Sequence, residues 1–205
     1  MKMASVMGSG FSMTELCFLG KEVKVELREG EQLMRELDRL CDAEMLQRDP
    51  GGRAGEYNFK HKYLQDVSYS LLPEELKEQL HHAAAEYYET LQRPSASDDG
   101  HHRSRRSKRS GGHKQLGGMF GGLSPQLITK LSYHWYRAGE EGDAKTHAVR
   151  YLTLAGDAAL NNFSLAEANE LLDQALERAK GSPALQSKRG PLQRRMAVCH
   201  KSVGE

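Results

Sequence analysis

The chain has few β-branched residues: its 205 positions hold 7 Val and 1 Ile, against 26 Leu and 19 Ala. Leu and Ala are strong helix formers, whereas β-branched side chains dominate strands. That shortage excludes a sheet-centred fold such as a Rossmann domain or a sandwich. Cysteine is scarce too. Cys17, Cys41 and Cys199 are an odd, widely spaced set, which is no disulfide framework and points to a reducing cytosol. No Cys/His cluster has zinc-ligand spacing. No apolar run approaches the roughly 20 residues that span a bilayer. Ser5, Gly8, Ser9, Gly10 and Ser12 interrupt the first residues, unlike a signal peptide. There is no G-x-x-x-x-G-K-[ST], so the sequence has no phosphate-binding P-loop. No Ser/His/Asp or Cys/His arrangement presents itself, and no catalytic, cofactor or metal residue is assigned.

Net charge is also nearly absent, at +1. The balance comes from cancellation between segments. Residues 1–92 carry 17 acidic and 11 basic groups, net −6; residues 93–124 are net +5; residues 125–205 are net +2.

What is present is mostly α-helical patterning. Residues 31–42 place Leu33, Met34, Leu37, Leu40 and Cys41 on one face of a helix. A short helix is expected after Ser12 or Thr14. Residues 44–48 and 56–59 flank the turn-forming Asp49, Pro50, Gly51 and Gly52, which predicts a β-hairpin. Helix, helix and hairpin together predict a winged-helix-like unit over residues 1–60. Between Glu29 and Asp42 five acidic groups face two arginines. A recognition helix of that sign is repelled by phosphates, so direct reading of nucleic acid is disfavoured.

Residues 61–92 predict a helical hairpin. Leu64, Val67 and Leu71 form the stripe of its first helix. Pro73 opens the second, which carries Leu76, Leu80, Ala83, Ala84, Tyr87 and Leu91. Residues 93–124 hold 7 Gly and 6 Ser in 32 positions and read as a disordered linker. Within it Arg103, Arg105, Arg106, Lys108 and Arg109 form a basic run. Its plain reading is solvated charge; the sharper one is a nuclear-localisation or anion-binding patch.

Residues 125–205 predict further paired helices. Leu127, Leu131, Trp135 and Ala138 line one; Ala144, Ala148, Tyr151, Leu152, Ala155, Ala158 and Ala159 the next. Ser164 and Glu167 have the spacing of a capping box at the start of a third, ended by Gly181 and Pro183. A last helix, broken near Pro191, carries Leu192, Met196 and Cys199. Gly156, Ala168, Leu172 and Ala175 resemble the small and large positions of a tetratricopeptide repeat. The fold class read from the sequence is therefore mostly α: a winged-helix-like unit with a small hairpin, then tetratricopeptide-like hairpins, with a disordered insert between them.

Phe59, His61, Gln65, Asp66, Val67, Tyr69 and Leu72 resemble an F-x-H-x-x-x-Q-[DE]-V-x-Y-x-x-L signature. Leu80, His81, Ala84, Ala85 and Glu89 resemble the L-H-x-x-x-A-x-x-x-E that follows it. Ala4, Ser5, Val6, Gly8 and Phe11 resemble the start of the same region, and His134, Trp135 and Gly156 its repeat segment. Together they resemble the stretch after the ATPase module in the soluble (type 10) adenylate cyclase family and its bacterial cyclase, ATPase and repeat-containing relatives. The resemblance implies a fragment whose cyclase and ATPase domains lie N-terminal to residue 1. The parent protein would be cytoplasmic and would convert ATP to cyclic AMP with a divalent metal. His61 and His81 would be structural, and Gln65 and Asp66 would face a neighbouring nucleotide-binding module. Partners would be those domains, or a protein held by the helical array. Two other readings stay open. One is a NACHT/STAND-type signalling ATPase without a cyclase. The other is an adaptor whose basic insert binds RNA or anionic lipid.

Overall fold

The computed structural model describes residues 1–24, 30–49, 51, 55–91 and 123–203, with side chains as far as 198. The basic run 103–109 and the side chain of Cys199 lie outside the described residues. The chain is mostly helical with one small antiparallel sheet. It divides into two compact units, Met1–Tyr87 with His134–Ala144, and Tyr88–Tyr133 with Lys145–Glu205.

The first unit opens with helix α1, Lys2–Val6, whose Ala4, Ser5 and Val6 are buried. Strand β1, Gly10–Ser12, follows, then α2, Met13–Glu22. The start of α2 is fixed by a full capping box. Ser12 Oγ accepts from the Glu15 backbone N–H at 3.1 Å, and the Ser12 N–H donates to Glu15 Oε2 at 2.6 Å. This reciprocal pair satisfies two donors that a helix start leaves without partners. Helix α3 is Glu31–Asp42, with Leu33 and Leu37 buried and Met34 exposed. The expected hairpin forms as β2, Leu46–Arg48, and β3, Glu56–Phe59, paired antiparallel with Leu46 opposite Phe59. A feature not read from the sequence is that β1 joins the far edge of β3, Phe11 opposite Tyr57, giving the order β1-β3-β2. That pairing stacks Phe11 on Tyr57 and tilts it against Phe59, with centroids 6.0 and 5.9 Å away. Three residues with one apolar side chain are too short a signal to read as a strand without their partner.

Helices α4, Lys62–Ser70, and α5, Glu74–Thr90, make the expected pair. The exposed side of α4 differs from the expected stripe. Val67 and Leu71 are 44% and 59% exposed, and Tyr63, one turn before Val67, is 65% exposed. The inward line is Leu64, Ser68 and Leu72, of which Ser68 and Leu72 are buried. Both lines have helical spacing, and the packing of α1 on α4 selects the second.

The second unit holds the last residues of α5, then α6, Pro125–Arg137, as far as Tyr133. After it come α7, Ala144–Asn161, from Lys145 onward, and α8, Leu165–Ala179. A single turn of 3-10 helix, Pro183–Leu185, leads into α9, Gln186–Val203. Helices α7 and α8 meet where Gly156 faces Leu172 and Ala168. Ile128, Ala155, Leu154, Ala158 and Leu171 pack together nearby. Asp157 on α7 accepts from Arg195 Nε on α9 at 2.7 Å.

Two local expectations fail here. Ser164 is the N-cap of α8 by position, but its side chain makes no capping bond. Its ψ of 69° departs from the extended 157° of Ser12, and Phe163 before it is in the left-handed region at φ 59°. The tight α7–α8 turn therefore denies Ser164 the capping geometry. Nor does Pro191 break the last helix, since α9 runs through it. A proline inside a helix removes one backbone hydrogen bond, and here the helix continues despite that loss.

Candidate functional site

The first unit contains an open cleft of about 690 Å³. One wall is a face of α5: Glu75, Glu78, Gln79, His82 and Glu86 recur at three- and four-residue steps and so share one side of the helix. Glu22 and Val23, at the end of α2, form a second part. The third is the loop after α6, with Ala138, Gly139, Glu141, Gly142 and Asp143. Gly139 suits its place for two reasons. Its φ is +87°, and a Cβ there would sit 3.1 Å from Glu78 Oε2. Only glycine takes that backbone at no steric cost.

Six carboxylates, Glu22, Glu75, Glu78, Glu86, Glu141 and Asp143, line the cleft. The nearest cationic candidate in the lining is His82, whose Nδ1 lies 3.6 Å from Glu86 Oε2. Like charges around a concave surface raise the local potential and favour a cationic partner. The net charge of −6 over residues 1–92 is thus partly gathered in one place.

Behind this wall, on the inward side of α5, sits a buried polar chain. Tyr69 Oη on α4 is 3.0 Å from His81 Nε2, and His81 Nδ1 is 3.0 Å from His134 Nδ1 on α6. His81 is 0% and His134 1% exposed. A bond between two Nδ1 atoms needs one proton shared by the pair, so two neutral rings satisfy it. Burial, reinforced by His134, Arg137 and Lys77, pushes the His81 imidazole down to about 2. Lys77 also lies over the Tyr69 ring, 4.9 Å from its centroid. Beside the pair, Trp135 is buried and meets His82 edge-on at 5.1 Å.

The other residues singled out in the sequence fall in different places. Phe59 is buried in β3 and Leu80 in α5. His61 is the exposed N-cap of α4, and its side chain makes no capping bond. Gln65 Nε2 donates to the Ser5 carbonyl at 3.1 Å, tying α4 to α1. Asp66 is exposed and pairs with Lys62, while Val67 is exposed. Gly156, Ala168 and Ala175 belong to the α7–α8 contact of the second unit, with both alanines fully buried.

The cleft itself was not read from the sequence. As an adjacent pair of acids Glu74 and Glu75 look like plain solvated surface, yet Glu75 lines the cleft. The spacing of residues 75, 78, 82 and 86 was the available signal, but it named only one wall.

Among the described residues no group of three His, Cys, Asp or Glu side chains is placed to hold a metal ion. The sequence offers no P-loop for a nucleotide. Among the described residues, too, no helix is long and apolar enough to cross a membrane. Comparisons with protein-family models, curated proteins and solved structures give no match.

Proposed function

We propose that this chain is a non-catalytic regulatory and scaffold segment of a multidomain signalling protein similar to the soluble (type 10) adenylate cyclases. In this reading α1–α3 and the sheet are a winged-helix-like unit, and α7–α9 belong to a tetratricopeptide-like array. The chemistry of the parent, ATP to cyclic AMP, belongs to other domains.

One observation carries the reading. The signature residues Gln65, Tyr69, His81 and His134, spread over 70 positions of sequence, bond inside the first unit to one another or to Ser5. Signature residues spent on interior bonds are those of a scaffold; a reactive group would instead have to face substrate. The acidic cleft would then be the surface offered to basic side chains of a neighbouring module.

The purified chain is expected to neither hydrolyse ATP nor form cyclic AMP. Supplied in trans, it is expected to bind the ATPase module of a family member. That binding should weaken with salt and with Glu75→Lys and Glu86→Lys. Robust turnover by the chain alone overturns the scaffold reading, and failure to bind the module at any salt concentration overturns the family assignment.

A further inference from the structure

The second unit keeps its charges on separate helices. From Leu165 to Glu177 the sequence has four acidic residues and no basic one; from Arg178 to Lys201 it has seven basic residues and no acidic one. The first stretch lies in α8 and the second runs through α9. Glu170, Asp173 and Glu177 recur at steps of three and four and are exposed, opposite the buried Ala168, Leu172, Ala175 and Ala179. They form one outward acidic stripe. On α9 Leu192 is buried, whereas Lys188 and Arg194 are exposed. The two helices pack against each other, yet no ion pair joins them. Glu177 pairs with Lys180, and Arg195 with Asp157 on α7. Glu170, Asp173, Lys188 and Arg194 have no ion-pair partner among the described residues.

We propose that the outward face of the α8–α9 hairpin docks a second copy of this chain. The two copies meet face to face, the acidic stripe of each lying on the cations of the other.

Charge complementarity selects this occupant. A partner of one sign, such as a nucleic acid or a basic peptide, is attracted by one helix and repelled by the other. The surface that complements both stripes at their own spacing is the same face turned over. A two-fold axis lying in the face, midway between the helices and along them, sets α8 of one copy over α9 of the other, so each contact is made twice. Glu177 and Lys188 stand at the same depth from the turn that joins the helices, and Glu170 and Arg194 within one residue of the same depth. Acid and base are therefore level across the contact, while sliding the copies until stripe meets like stripe is repulsive. Exposed ion pairs are each of small worth and are screened by salt, and one helical hairpin offers a small interface. The dimer is accordingly weak, concentration-dependent and favoured at low ionic strength.

Sedimentation equilibrium of the full chain should show monomer and dimer at about 20 mM salt, and monomer alone at about 500 mM, where the screening length falls to about 4 Å. Lys188→Glu with Arg194→Glu turns the cationic stripe acidic, and Glu170→Lys with Glu177→Lys turns the acidic stripe basic. Each double variant alone should dimerise at least about tenfold more weakly than the wild type, since like charges then face each other. An equimolar mixture of the two should restore a heterodimer. All four side chains are exposed, so far-UV circular dichroism should keep its helical signal. A wild type that stays monomeric at low salt up to the highest soluble concentration overturns the proposal. So does a dimer that survives both double variants, or a mixture that fails to associate. If a double variant loses its helical signal, the single variants Arg194→Glu and Glu170→Lys, apart and mixed, decide in the same way.

Discussion

Replacing Gly156 with alanine sets two effects of comparable size against each other. In a helix interior alanine is favoured over glycine by about 1 kcal/mol, so an open site would be stabilised. Gly156 is not open. A Cβ there would stand 2.8 Å from Leu172 Cγ and 2.9 Å from Leu172 Cδ2, with the Ala168 carbonyl at 3.6 Å. Leu172 is fully buried and Ala168 beside it likewise, so neither can swing into solvent. Overpacking a core by a methyl group typically costs about 1–3 kcal/mol. The net expectation is a destabilisation of about 1 kcal/mol, the overlap outweighing the propensity gain. A double-mutant cycle isolates the cause. Leu172→Ala alone should cost about 2–5 kcal/mol through the cavity it leaves. In the Gly156→Ala background it should cost at least about 1 kcal/mol less, because the new methyl occupies part of that space. Urea unfolding followed by far-UV circular dichroism measures all four proteins. A stabilised Gly156→Ala, or strict additivity in the cycle, would refute the close approach of α7 and α8.

Three further outcomes are expected. Ser12→Ala should cost about 1 kcal/mol and Ser164→Ala less than about 0.5 kcal/mol, since only Ser12 makes its capping bond; equal losses in chemical denaturation would contradict this. Gly139→Ala should destabilise by about 1–2 kcal/mol, because alanine must adopt φ +87° against Glu78, and thermal unfolding of the variant checks it. Tyr151 is pushed up to about 12 by burial, with the Glu89 carboxylate adding to the effect. The folded state thus holds that proton more tightly than the unfolded one, whose phenol titrates near 10. Its contribution to stability is intact below pH 10 and fades as pH rises towards 12. Burial raises Tyr57 and Tyr87 as well, so ultraviolet titration should show more than one late tyrosine, and Tyr151→Phe should remove one late equivalent; an undiminished late step after the substitution would contradict the assignment.

The helices were legible because each carries its own apolar periodicity, a local signal read within one or two turns. Glu31–Asp42 and Leu165–Ala179 stand where the spacing of their leucines and alanines put them. The hairpin was legible from its turn residues and the short segments either side. The side α4 turns inward was not. Leu64-Val67-Leu71 and Leu64-Ser68-Leu72 both fit a helix, and the more apolar line is the one left outside. The capping boxes show the same limit. Ser12 and Ser164 both precede a glutamate by three residues, yet only one has the backbone angles that bring its hydroxyl to the N–H.

Of the site, the sequence marked individual members and left their relations open. His81 and His134 stood out as motif residues, but 53 positions separate them, and no periodicity predicts that two nitrogens will meet at 3.0 Å. The cleft needs α2, α5 and the loop after α6 together, so no segment total showed its charge: the −6 over residues 1–92 leaves out Glu141 and Asp143. By itself the sequence determined the helical class and the hairpin, because propensity and spacing act over a few residues. Tertiary structure alone decided the third strand, the buried face of α4, the histidine pair and the acidic cleft. Each of these depends on which distant segment removes a given side chain from water.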